Sequence, residues 1–107
     1  MITAAFLTKK DGMLVGFEIR GHSGSALSGE DIICSAVSSA AFMTANTITE
    51  VIKADAVISV DEDGEMYLRI RDKDAGACQE ILSGLKLHMF ALEEQYPDNI
   101  HVNYSEV

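Results

Sequence analysis

A histidine and a cysteine stand out as the residues able to do chemistry. His22 lies in the run Gly21-His22-Ser23-Gly24, and Cys34 closes the run Gly29-Glu30-Asp31-Ile32-Ile33-Cys34. With Asp31 as the N-cap, Cys34 falls at the third position of a helix. The positive end of a helix dipole and its unpaired N–H groups both favour thiolate over thiol. An imidazole folding back from the loop would complete the activated pair of cysteine hydrolases. The order His before Cys is no obstacle, because such groupings are defined by geometry and not by chain order. Each residue also has a plain reading: Cys34 as a small buried hydrophobe, and His22 as a solvated loop residue.

The neighbouring residues carry the same two-sided reading. Asp31 either caps the helix or orients and charge-stabilises His22. Ser38 lies one turn after Cys34 on the same helix face, where it either packs closely or donates a hydrogen bond within the site. Gly21, Gly24 and Gly29 punctuate the loop as hinges, since glycine accepts backbone angles that other residues resist. A phosphate cradle would use glycine N–H groups and normally a lysine, whereas this loop ends in Glu30 and Asp31. A zinc site built on His22, Asp31 and Cys34 lacks a fourth protein ligand and any C-x-x-C element. A redox pair with Cys78 requires that residue at the surface, and its place on an apolar helical stripe puts it in the core. Neither His88 nor His101 has a spaced ligand partner.

The elements that must position these groups follow from periodicity. Ile2–Thr8 and 13–20 read as a hairpin around Asp11-Gly12, with Val15, Phe17 and Ile19 alternating against Gly16, Glu18 and Arg20. Residues 31–53 fit a helix with the stripe Ile33, Val37, Ala40, Thr44, Thr47/Ile48 and Val51. The small residues Ala36, Ser39, Ala41 and Ala45 then form its remaining surface, open to close approach by the sheet or a second subunit. Residues 56–61 and 65–71 make a second hairpin around Glu62-Asp63-Gly64. Asp74 is expected to cap a second helix running to Tyr96, with Cys78, Ile81/Leu82, Leu85, Met89 and Leu92 on its stripe. Ile100, Val102 and Tyr104 alternate as a last strand. The order ββαββαβ, dominated by hairpins, predicts an α+β fold with an antiparallel or mixed sheet and both helices on one face.

Composition narrows the function. The chain has 107 residues, which suits one domain spanning 1–107, and a formal net charge of −9. No Lys or Arg lies between Gly21 and Ile52 or after Lys86. Direct nucleic-acid binding, which draws its affinity from phosphate neutralisation, is not expected. An acidic field favours basic partners. The N-terminus lacks the order of a signal peptide. Residues 32–49 are uncharged, but their Ser, Thr and Asn content argues against a membrane span. A cytoplasmic protein with two unpaired thiols is the expectation.

The run Gly21-His22-Ser23-Gly24 … Gly29-Glu30-Asp31-Ile32-Ile33-Cys34-Ser35-Ala36-Val37-Ser38 resembles the ribosomal-processing cysteine protease family, Prp, and the likeness extends over the whole chain. The resemblance implies a homodimeric cysteine endopeptidase without cofactor or metal. It also implies the substrate, the N-terminal leader of large-subunit ribosomal protein 27, a leader that ends in an aromatic-rich segment with lysines after the cut. By the same resemblance Cys34 is the nucleophile and His22 the base, Asp31 and Ser38 are further motif positions, and Gly21 is the hinge of a loop that moves with substrate. Family loops often carry an aromatic residue just after the second glycine, where this chain has Ser25-Ala26-Leu27-Ser28. The alternative is a non-enzymatic acidic dimer that binds a basic ribosomal protein as an assembly factor.

Overall fold

The structure is a computed structural model that describes the backbone of residues 1–21 and 28–107, and the side chains of 1–21 and 32–107. Five strands form one sheet: β1 (Ile2–Thr8), β2 (Leu14–Arg20), β3 (Ala56–Val60), β4 (Met66–Ile70) and β5 (Ile100–Glu106). Their spatial order is β3-β4-β2-β1-β5. All neighbours are antiparallel except β1 and β5, which run parallel. Two helices, α1 (Ser28–Asn46) and α2 (Gln79–Gln95), bury their apolar faces against one side of this mixed sheet, as the α+β expectation required. The core joins Phe6, Phe17, Leu68 and Ile70 of the sheet to Val37 and Ile48 of the first helical segment and Leu82 and Met89 of α2. Each such side chain contributes about 1.5–3 kcal/mol on removal from water.

The first helical segment departs from the expected pattern at both ends. It begins at Ser28, before Asp31, so Asp31 is an interior residue of α1 and Gly29 belongs to the helix and not to the loop. Its buried stripe is Ile33, Val37, Ala41, Thr44/Ala45 and Ile48, so Ala41 and Ala45 face the core rather than a free surface. Small residues at these positions bring the helix backbone close to the sheet. The Thr44 hydroxyl, fully buried, donates to the Ala40 carbonyl at 2.9 Å and so carries no unmet polar cost. At Thr47–Val51 the helix widens into a π turn, with the Ile52 N–H bonded to the Thr47 carbonyl at 2.8 Å. That turn ends the stripe at Ile48 and leaves Val51 exposed, against the expected pattern. By length and composition 32–51 would suffice to cross a membrane, but here one face of it is built into the core.

Two other expectations fail for local reasons. A register shift between Leu7 and Thr8 places a bulge at Val15, because Leu7 pairs with Gly16 while Thr8 pairs with Leu14. Leu14 therefore enters the main core, and Val15 turns to the other face of the sheet, against Leu7 and Ala75. The Gln79 side chain accepts from the Leu14 N–H (3.0 Å) and donates to the Leu14 carbonyl (2.7 Å), supporting the backbone at the irregularity. Asp74 does not cap α2; it lies within a 3-10 segment, Asp72–Cys78, that precedes it. Its carboxylate accepts from the Asp55 N–H (2.8 Å) and from Lys73 (3.0 Å), and these bonds, the backbone one foremost, hold it below the usual carboxylate range.

At Gly16 the backbones of β2 and β4 leave no room for a side chain. A Cβ there would collide with the Leu68 carbonyl oxygen of the neighbouring strand, which cannot move without breaking the ladder. Gly16→Ala is expected to cost about 1–3 kcal/mol, the range for overpacking. A urea melt reads this directly, and an unchanged midpoint would refute the packing account.

Candidate active site

The strand directions create one crowded corner. β2 runs antiparallel to both β1 and β4, so the end of β2 lies beside the beginnings of those two strands. Thr3 pairs with Arg20, and Met66 pairs with Ile19. The β3–β4 turn, residues 61–65, therefore stands next to Gly21. Helix α1 brings Cys34 and Ser38 to the same place. A small cleft of about 60 Å³ results, lined by Ile2, Ile19, Gly21, Cys34, Val37, Ser38, Asp63, Gly64 and Glu65. Cys34 and Ser38 are half-buried in it, while Val37 between them is turned into the core.

Gly21 closes the corner. Its φ is +82°, in the left-handed region, and a Cβ would run into the Met1 carbonyl oxygen. Its N–H donates to the Glu65 carboxylate at 2.6 Å. The turn that supplies this carboxylate is itself fastened. The Asp61 side chain accepts from the N–H groups of Asp63 (2.9 Å) and Glu65 (3.0 Å), and the Asp61 N–H meets the Glu65 carbonyl at 3.0 Å.

The structure thus brings Gly21, Cys34 and Ser38 together. His22 and Gly24 lie outside the described residues, as does the side chain of Asp31. Counting from Ser28, Cys34 is the seventh residue of α1, not the third. Six residues of rise put it about 9 Å from the helix start. The dipole acts mainly within the terminal turn, so Cys34 lies beyond its main reach. Its amide also sits where a helical N–H is committed to the carbonyl four residues back.

Glu65, Asp63 and Gly64 were absent from the expected site. Periodicity showed 62–64 only as a hairpin turn, with Asp61 and Glu65 at the ends of its strands. A signal was present, for four acids in five residues exceed what a turn needs, but only the pairing of β4 with β2 puts that turn beside Cys34. Cys78, by contrast, is fully buried, as its stripe position implied. Burial first, and the Asp74 carboxylate second, push its thiol up, which removes it as a resolving partner. Among the described residues no cluster of His, Cys, Asp and Glu is arranged to hold a metal ion. His101 instead faces Glu93 at 3.6 Å on the surface, and His88 borders an apolar groove between the helices.

A half-buried thiol lies in a cleft at the sheet corner, and comparison with known proteins gives the class of the chain: it is a cysteine protease. It belongs to the family described as cysteine protease Prp, whose model matches residues 1–101. The ribosomal processing cysteine protease Prp of Staphylococcus aureus is 28% identical over 105 residues, covering 97% of this chain and 99% of its own. The protein of the same name from Bacillus subtilis is 25% identical, over 95% of this chain and 96% of its own. Crystal structures of the Staphylococcus aureus protease superpose with a TM-score of 0.86. One, with a covalently linked product peptide, is 27% identical over 98% of this chain and 100% of its own; another holds a substrate peptide. This membership sets aside the non-enzymatic assembly factor.

With φ at +82° and the Met1 carbonyl at its back, Gly21 tolerates no side chain. Gly21→Ala is expected to lower stability by about 1–3 kcal/mol and to weaken any activity with it. Thermal melting checks the first part, and a variant as stable as the parent would contradict the geometry.

Proposed function

We propose that this protease removes the N-terminal leader of large-subunit ribosomal protein 27 through a His22/Cys34 dyad. The observation that carries this is the cleft at Cys34, in a chain matched along nearly its whole length by a ribosomal processing protease seen with a covalently linked product peptide. Covalent attachment of product is what nucleophilic catalysis leaves behind. His22 accepts the Cys34 proton, and the sulfur attacks the scissile carbonyl to form a tetrahedral oxyanion. Collapse breaks the C–N bond as His22 returns the proton to the leaving amine. Water, deprotonated by His22, then cleaves the thioester and restores the thiol. Ser38, on the same wall of the cleft, offers a hydroxyl to the site, and Asp31 serves as partner to His22.

The substrate reading has electrostatic support. The net charge is −9, and Asp63 and Glu65 line the cleft. Such a field attracts a chain with lysines beyond the cut. The working place is the cytoplasm, where ribosomal proteins are made, and residues 1–107 act as one domain. The functional unit is a homodimer. Its surface is the outer face of α1, where Phe42 and Met43 are exposed beside an apolar groove of about 600 Å³ between α1 and α2.

Cys34→Ala is expected to abolish cleavage of a peptide spanning the leader junction, and His22→Ala to slow it by about 10²–10⁴-fold, as read by mass spectrometry of products. Undiminished cleavage by Cys34→Ala sinks the mechanism. For the dimer, Met43→Glu puts a charge on the proposed interface without touching the core. It is expected to shift the chain to monomer in light scattering, and a variant that stays dimeric moves the interface elsewhere.

A further inference from the structure

We propose that Glu65 is a positioning residue of the cysteine site: its carboxylate, fixed on the β3–β4 turn, holds the residue from which the His22 segment departs. This rests on the protease reading above and deepens it. The Glu65–Gly21 bond joins residues 44 apart in sequence at 2.6 Å, short for an N–H donor, the direction in which a charged acceptor shifts such a bond. It is made in the wall of the Cys34 cleft itself, which both residues line. Gly21 is held from two sides, by the Met1 carbonyl against its Cα and by Glu65 on its N–H. The acceptor is held in turn, because Asp61 binds the Glu65 N–H and the turn closes through the Gly64 N–H to the Asp61 carbonyl at 3.0 Å.

A general base must meet the thiol within hydrogen-bond reach, and the residue that joins β2 to the base sets where its segment begins. Cys34 is carried by α1, an element separate from β2 and the β3–β4 turn. The loss should therefore fall on the proton-transfer geometry and not on the nucleophile. A different role for the same carboxylate would be attraction of a cationic substrate, and that would appear in KM and in its salt dependence.

The test is steady-state cleavage of the junction peptide by Glu65→Ala and Glu65→Gln at two salt concentrations, with thermal melts alongside. Glu65→Ala is expected to lower kcat by about ten- to a hundredfold, the scale of a small misplacement, with KM unchanged. Glu65→Gln keeps an acceptor oxygen and is expected to recover most of the loss. An Ala variant with parental kcat overturns the proposal, as does a Gln variant that falls as far as Ala, or an effect confined to KM and abolished by salt. If the Ala variant fails to fold, NMR hydrogen exchange of the Gly21 amide in the parent protein decides: protection supports the bond, and exchange at the open-chain rate overturns it. An active parent protein matched by Glu65→Ala defeats this proposal alone, whereas an inert parent protein defeats the protease reading and this proposal with it.

Discussion

The close contact at Gly21 is the constraint around which the site is arranged. A central strand that pairs antiparallel with neighbours on both sides must end where both neighbours begin. Here the end of β2 meets the first residues of β1 and the turn before β4. The chain leaves that junction through a residue with no Cβ, in a left-handed conformation, against one backbone carbonyl and under one carboxylate. Any larger residue would have to displace the start of β1. Helix α1, packed along the sheet by Ile33, Val37, Ala41 and Ala45, delivers the thiol to the same corner. The fold thus makes the cleft as a consequence of strand direction, and Cys34 lines it.

Charge is distributed unevenly between the two ends of the sheet. Lys9, Arg69, Arg71 and Lys73 are engaged at the far end, with Asp72, Asp55 and Asp74. Lys9 and Arg69 together draw the Asp72 carboxyl below its ordinary range. Exposed pairs of this kind contribute little to stability, about 0–1 kcal/mol each. Their effect on the field is larger, because they neutralise the end away from the site. The cleft end keeps Asp61, Glu62, Asp63 and Glu65, with no ion pair among them in the described residues. For the substrate proposed above, that asymmetry would steer encounter over roughly a Debye length.

The irregular features of the fold lie where regular patterns would have placed side chains wrongly. A strict two-residue period would put Val15 in the same layer as Phe17. The bulge sends it to the opposite face and lets Leu14 take the core position. A strict helical period would bury Val51, and the π turn exposes it. The bulge arises from the pairing of β2 with β1 and the π turn from a shifted hydrogen bond within the helix end, and an apolar period records neither.

Period and turn chemistry by themselves determined the order of elements, the sheet with helices on one face, and the burial of Cys78 on its stripe. The motif from Gly21 to Ser38 determined the family. Those signals are local: each depends on residues a few positions apart. The start of α1 at Ser28 was not legible, because a Ser/Gly-rich run carries no apolar period, and Asp31 offered a plausible cap that the backbone does not use. Nor was the place of the β3–β4 turn at the wall of the Cys34 cleft. That depends on which strand β4 chooses as its neighbour, a pairing across more than forty residues decided by the burial of both partners at once. The sequence alone therefore determined which residues are equipped for chemistry, and only the tertiary structure decided that Glu65 and Gly21 stand beside the cysteine.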